Sequence, residues 1–322
     1  MIPLFLITGF LGSGKTTWLK QIAREHKDRR FIYLVNDFAS VDVDGELVRQ
    51  AGDYVMAVSG GSIFCKCLVT EFIGALTAIA EKRAGMDTHP EAVLIEASGM
   101  ADPRVIHTML HETGLNRIFN VARIIALADP GTLHKLLKTL PNIRAQLECA
   151  DSVLISKADL YPTDVIESTR ALIHSIQPKA ACHTVIHGQT DLTLFEEAQP
   201  PTTTGEYALC KDPNFHRFTI TERVPSLTEF QDRANATQDH LYRAKGFVAD
   251  HNGAVYAVDW SSSGFTATPW HGDPPALRVV CIASGQHGEA VESIWLSAHN
   301  NDCGETGPDG RWPRHTLYHT PR

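Results

Sequence analysis

Gly9-Phe10-Leu11-Gly12-Ser13-Gly14-Lys15-Thr16-Thr17 fits the Walker A pattern at every fixed position. The apolar run Ile2–Thr8 before it reads as a buried strand, and Lys15–His26 after it reads as a helix. A glycine-rich turn between strand and helix aims backbone N–H groups and a helix N-terminus at one anion, and the glycines allow close approach. In that context Gly12, Ser13, Gly14, Lys15, Thr16 and Thr17 are expected to cradle a triphosphate. Lys15 would reach the β- and γ-phosphates and Thr16 would bind Mg²⁺.

Outward from this loop, short β-branched runs alternate with amphipathic segments. Strands are expected at Phe31–Val35, Tyr54–Val58, Ala92–Glu96, Ile124–Ala128, Ser152–Ser156 and Ala181–Val185. Helices are expected at Lys15–His26, Thr70–Arg83, Pro103–Glu112, Gly131–Lys138, Ile143–Cys149 and Thr163–Ser175. This alternation predicts an α/β domain, a mostly parallel sheet with helices on both faces, and ligands at the carboxyl ends of strands. The polar run Gln199–Gly205 reads as a linker. Beyond it the pattern becomes α+β: strand His216–Thr221, helix Ser226–Asn235, a hairpin of Gly246–Asp250 and Ala254–Asp259 around Asn252-Gly253, strand Leu277–Ala283 and helix Ala290–Ser297. The expected division is 1–200 for the P-loop domain, 201–214 for the linker, 215–298 for a smaller C-terminal domain and 299–322 for a polar tail.

Composition bounds the function. A chain of 322 residues can bury two cores. Its net charge of −8 excludes the basic footprint of a nucleic-acid binder. No apolar run is long enough to span a bilayer. Met1 leads directly into the first strand, which leaves no room for a signal peptide and makes the cytoplasm the expected compartment. Seven cysteines, an odd number, argue against a disulfide scaffold.

Two further strand ends carry chemistry. Val93-Leu94-Ile95-Glu96 is an apolar strand ending in a carboxylate, followed by Ala97-Ser98-Gly99. Glu96 is expected to hold Mg²⁺ with Thr16, and the Gly99 N–H to meet the γ-phosphate. Ser156-Lys157-Ala158-Asp159 is similar to the Asn-Lys-x-Asp guanine motif, with the shorter Ser in the first position. Asp159 could accept from the guanine N1–H and 2-amino group, which adenine cannot offer, while the Lys157 stem covers the base. The pattern therefore points to GTP over ATP.

Ser59-Gly60-Gly61-Ser62-Ile63-Phe64-Cys65-Lys66-Cys67 adds a Cys-x-Cys pair in a glycine-rich loop. Such thiols can serve Zn²⁺ or Cu(I), or remain inert. His107 and His111 share a helix face at i, i+4 and read as a polar face rather than as ligands. Arg243 and Lys245 read as helix-capping groups rather than as a client dock.

Taken together, the motifs resemble the CobW-type GTPases, relatives of the UreG and HypB metallochaperones. The resemblance rests on the Walker loop, on Glu96–Pro103 as an ExxG-x-A-D-P switch, on Asn36–Asp44 as an N-E-F-G-E-x-G-x-D switch, and on Arg243–Phe247 as an R-x-K-G motif. It implies a metal site at a Cys-x-Cys-Cys sequence after a glycine. Here Ser62 and Phe64 stand in place of the first two cysteines, Cys65 keeps the third, and Cys67 is offset. A metal site would be rebuilt from Cys65, Cys67 and Asp37, with a histidine. Asp37 is also a candidate to position the attacking water, beside Lys15 and Glu96 as catalytic groups.

The resemblance implies a GTP- and Mg²⁺-dependent switch that helps deliver Zn²⁺ or another transition metal, or a metallocofactor, to a client metalloprotein or enzyme. It leaves a homodimer open. Turnover is expected to be slow, because no arginine finger is identifiable. A metal-independent GTP-driven activator is the alternative, and an ATP-dependent small-molecule kinase stands third.

Overall fold

A computed structural model describes residues 1–37, 55–59, 62–66, 68–83, 90–196, 198, 200–202, 204–208, 214–261, 264–271 and 275–297. The tail and most of the Asn36–Asp44 switch lie outside the described residues, as do Tyr54 and Cys67. The first sheet comprises β1 (Ile2–Gly9), β2 (Phe31–Asp37), β3 (Val55–Ser59), β4 (Ala92–Glu96), β5 (Phe119–Ala128), β6 (Ser152–Ile155) and β7 (Ala181–Thr184). Their order is β3-β2-β4-β1-β5-β6-β7, and every pairing is parallel. The expected α/β architecture is therefore present.

The strands alternate between two cores with a period of two, as a sheet covered on both sides requires. Leu4, Leu6, Leu34, Val93, Ile95, Ile124 and Ala126 face one core; Phe5, Ile7, Tyr33, Val35, Leu94, Ile125 and Leu127 face the other. The second core is closed by helix α1 (Lys15–Glu25) through Trp18, Leu19 and Ile22, and by Leu192 and Leu194. The first is closed by α2 (Val69–Arg83), α3 (Ile106–Glu112), α4 (Pro130–Thr139), α5 (Pro141–Glu148) and α6 (Thr163–Ile176).

The C-terminal sheet is antiparallel. It contains β8 (Phe215–Ile220), β9 (Leu241–Ala249), β10 (Val255–Ser261), β11 (Gly264–Pro269) and β12 (Arg278–Ser284), in the order β11-β10-β9-β12-β8. Helices α7 (Leu227–Thr237) and α8 (Gly288–Leu296) cover one face, where Phe230, Ala244, Trp260, Cys281 and Trp295 form a separate core. Ser226 caps α7 in a reciprocal capping box with Glu229. Among the described residues no helix is long and apolar enough to cross a membrane.

Several sequence expectations change. The segment expected as one helix from Pro103 starts as a 3-10 turn, Pro103–Val105, capped by Asp102, and becomes α-helical only at Ile106. Strand β5 begins at Phe119 instead of Ile124, because β1 pairs along its whole length and overrides the polar residues Asn120 and Arg123. Arg243 and Lys245 lie in the middle of β9 rather than at a helix end; the strand was expected only from Gly246, and β11 was not anticipated.

Candidate functional site

The Walker loop leaves β1 through Gly9, which has φ 133°, and continues through Gly12 at 76° and Gly14 at 93°. These are left-handed values that a side chain would strain. A Cβ at Gly9 would also run into the carbonyl of Leu127. Helix α1 starts at Lys15, and its N-cap Gly14 has no side chain to cap it, so the first N–H groups are left for the loop, as an anion cradle requires. The buried Lys15 ammonium donates to the carbonyls of Gly9 at 2.9 Å and Phe10 at 3.1 Å, which folds the loop around it.

Glu96 ends β4, beside Ile7 of β1. That register brings the Thr16 hydroxyl to donate to Glu96 Oε1 at 2.8 Å. Three residues on, Gly99 lies so close to the loop that a Cβ there would meet the backbone nitrogen of Leu11. The two predicted Mg²⁺ residues are thus in direct contact, and the predicted γ-phosphate glycine abuts the Walker backbone.

Asn36 ties these parts together. Its Oδ1 accepts from Ile63 N at 3.0 Å and Ser98 N at 3.2 Å, and its Nδ2 donates to Val58 O at 3.0 Å. One buried amide thereby joins the end of β2, the end of β3, the cysteine loop and the segment after Glu96. The sequence marked Asn36 only as the first residue of a switch.

On the other flank Lys157 adopts φ 55° and its ammonium pairs with Asp129 at 2.8 Å. Asp129 caps α4 through Gly131 N at 3.0 Å and accepts from the Tyr161 hydroxyl at 2.8 Å. Burial and this bond push the Tyr161 phenol up to about 12. Ser156, shorter than the usual Asn, is buried and bonds the Ala128 carbonyl through its hydroxyl at 3.3 Å. The bracing comes instead from Asp129, which sequence reading missed; Asp129-Pro130 is a recognisable helix-start signal. Asp159 sits in the following 3-10 turn, with His187 Nε2 at 3.9 Å from its carboxylate.

A cavity of about 430 Å³ opens over the loop. Gly12, Gly14, Lys15, Thr16 and Thr17 line it from the loop; Glu96, Gly99 and Lys157 line it from the strand ends. Ser13 and Asp159 do not line it.

The cysteine segment is partly described. Phe64, at one of the two replaced cysteine positions, is wholly buried and packs edge-on against Phe72, with ring centroids 5.8 Å apart. Ser62, at the other, accepts from Phe64 N at 3.3 Å. Cys65 is 5% exposed. The loop is clamped by the segment around Ala208, where Lys66 N donates to Ala208 O at 3.0 Å and Ala208 N to Phe64 O at 3.1 Å. Cys67 and the Asp37 side chain lie outside the described residues. Among the described residues no three His, Cys, Asp or Glu side chains converge on a metal position. His107 is half-buried while His111 is exposed, and burial lowers the His107 pKa.

A glycine-rich loop between a parallel strand and a helix, with a hydroxyl–carboxylate pair beneath it, defines a P-loop nucleotide-binding protein. Within that class the chain belongs to the CobW/HypB/UreG family, whose nucleotide-binding domain matches residues 3–184. It is 29% identical over 194 residues to zinc chaperone YjiA of Escherichia coli, covering 60% of each chain. It is 26% identical over 198 residues to zinc-regulated GTPase metalloprotein activator 1 of Schizosaccharomyces pombe, covering 59% of this chain and 47% of the relative. Against the crystal structure of Zn(II)-bound YjiA GTPase from E. coli, the TM-score is 0.45 at 20% identity, over 92% of this chain and 99% of that one.

Proposed function

We propose that this chain is a GTP-binding and GTP-hydrolysing switch that assists delivery of a metal or metallocofactor to a client protein. The observation that carries the reading is the 2.8 Å contact between Thr16 and Glu96 on the wall of the Walker cavity. An oxygen pair beside an uncapped helix N-terminus and a buried ammonium suits a hard divalent cation and a triphosphate together. Bound Mg²⁺ supplies charge neutralisation at the β- and γ-phosphates. Lys15 and the N–H groups of Gly12–Thr17 bind and orient the phosphates, Thr16 and Glu96 hold the cation, and Gly99 N–H meets the γ-phosphate. Asp37 is assigned to orienting water. Lys157 and Asp159 are assigned to the guanine base.

Asn36 gives the switch a physical basis. It bonds Ser98 on the nucleotide side and Ile63 in the cysteine loop, so displacing one strains the other. Cargo zinc is assigned to Cys65, Cys67 and Asp37, with support from the names of the relatives. The proposed division is residues 1–200 for the nucleotide domain, 201–214 for the linker and 215–298 for the C-terminal domain.

The test is metal analysis of the chain loaded with a non-hydrolysable GTP analogue, beside calorimetric titration of GTP and ATP with Mg²⁺. Stoichiometric zinc, lost in the Cys65→Ser/Cys67→Ser variant, is expected. Tighter ATP than GTP would overturn the base assignment. A second reading, a metal-independent activator, draws on the buried Cys65 and the core-filling Phe64; it requires GTP-dependent capture of a client that chelators do not affect.

A further inference from the structure

The C-terminal sheet has two unlike faces. Ala244, Trp260, Phe265 and Cys281 point into the core under α7 and α8. Strand alternation sends Arg243, Asp259, Ser261 and Thr266 to the opposite face. The register agrees: Arg243 lies opposite Ser261 and Ile282, and Asp259 opposite Thr266. Ile282 packs into the core of the nucleotide domain, so this face is the one turned toward it. A register shift beside Ile282 accompanies the placement of Tyr242, whose ring stacks edge-on against Phe10 of the Walker loop, with centroids 5.8 Å apart. Arg243, Asp259, Ser261 and Thr266 all line the Walker cavity, together with Lys15 and Glu96.

Within that row Arg243 forms a two-pronged pair with Asp259, Nε to Oδ1 at 3.0 Å and a terminal nitrogen to Oδ2 at 2.7 Å. A guanidinium fork fits a phosphate as well as a carboxylate. We propose that Arg243 is a nucleotide-sensing residue supplied by the C-terminal domain: a phosphate oxygen of the bound nucleotide takes Arg243 from Asp259, and the loss of that pair reports nucleotide occupancy to the sheet. The inference rests on the nucleotide-binding reading above and adds a ligand group from outside the P-loop domain. Asp259 then acts as a competitor, a negative charge that the triphosphate displaces.

The roles predict opposite signs. Affinity for a fluorescent, non-hydrolysable GTP analogue is measured on the full chain, Arg243→Ala and Asp259→Asn, with circular dichroism as a folding control. Arg243→Ala is expected to weaken binding about tenfold, while Asp259→Asn tightens it several-fold. A purely structural ion pair is lost in both variants and would shift affinity in the same direction in both, which overturns the proposal. So would an Arg243→Ala affinity within twofold of the parent. If the parent chain itself fails to bind the analogue, the underlying nucleotide reading falls, and this inference with it. Should Arg243→Ala fail to fold, Asp259→Asn alone decides, since a weaker or unchanged affinity there also overturns the competitor role.

Discussion

Asn36 Oδ1 accepts the backbone N–H of Ser98 at 3.2 Å, joining the carboxyl ends of two adjacent parallel strands. The same oxygen holds Ile63 N, so one side chain sets the spacing between the segment after Glu96 and the cysteine loop. Replacing it with Ala would leave two donors and the Val58 carbonyl buried without this partner. Asn36→Ala is expected to cost roughly 3 kcal/mol or more, read from urea unfolding. A loss under about 1 kcal/mol would mean that the loops repack without the amide.

Lys15 and Glu96 are assigned different tasks, which separates their variants. Lys15→Ala removes the loop's ammonium and is expected to abolish measurable GTP binding. Glu96→Gln keeps the shape and a hydrogen-bond acceptor for Thr16 but removes the charge. It is expected to retain nucleotide within about tenfold while hydrolysis falls about a hundredfold or more. Calorimetry and phosphate release measure the two terms independently, and equal losses in both would refute the division of labour.

For the base, Asp159→Asn exchanges a carboxylate acceptor for an amide that donates. Guanine offers donors at N1 and its 2-amino group, whereas xanthine carries a carbonyl at position 2. The variant is expected to lose about a hundredfold in GTP affinity and to regain much of it with xanthosine triphosphate. Asp129→Ala, by releasing Lys157 and Tyr161 together, should weaken GTP and lower the melting temperature.

His107 supplies a pH signature. Burial holds its folded-state pKa below the usual 6.5, and its Nε2 has no hydrogen-bond partner among the described residues. Well above pH 6.5 the ring is neutral in both folded and unfolded chains, so stability is fully present. As pH falls below that value the unfolded chain takes the proton first, and stability declines. His107→Gln is expected to show a smaller drop in the urea midpoint between pH 7.5 and 5.0 than the parent. An identical drop would assign the acid sensitivity elsewhere.

The glycine of the R-x-K-G motif has a steric role. A Cβ at Gly246 would run into the carbonyl of Arg278 on β12. Gly246→Ala must therefore part β9 from β12, and is expected to cost on the order of 3 kcal/mol, with the loss visible in the thermal unfolding of the C-terminal domain.

Most of the nucleotide domain was legible because its signals are local. Strand β4 runs from Ala92 to Glu96 as its apolar run predicted, and α1 begins at Lys15 as the Walker pattern requires. Asp129 went unseen for a different reason. Its capping position is a sequence signal, but its pairing with Lys157 joins residues 28 apart and depends on β5 and β6 being neighbours. The front half of β9 was missed because Arg243 and Lys245 break its apolar pattern; Arg243 does so because it lines the Walker cavity.

What the sequence determined by itself is the chemistry of contiguous segments: a Walker loop, an acid at a strand end, a Lys-x-Asp turn and an altered cysteine motif. Each depends on backbone conformation and side chains a few residues apart. What tertiary structure decided is which segments meet. Thr16 reaches Glu96 across 80 residues because β1 pairs with β4, and Arg243 joins the cavity because Tyr242 and Ile282 dock the second sheet on the first domain. Strand order and domain docking follow from how distant apolar faces bury one another, and no single stretch of chain carries that information.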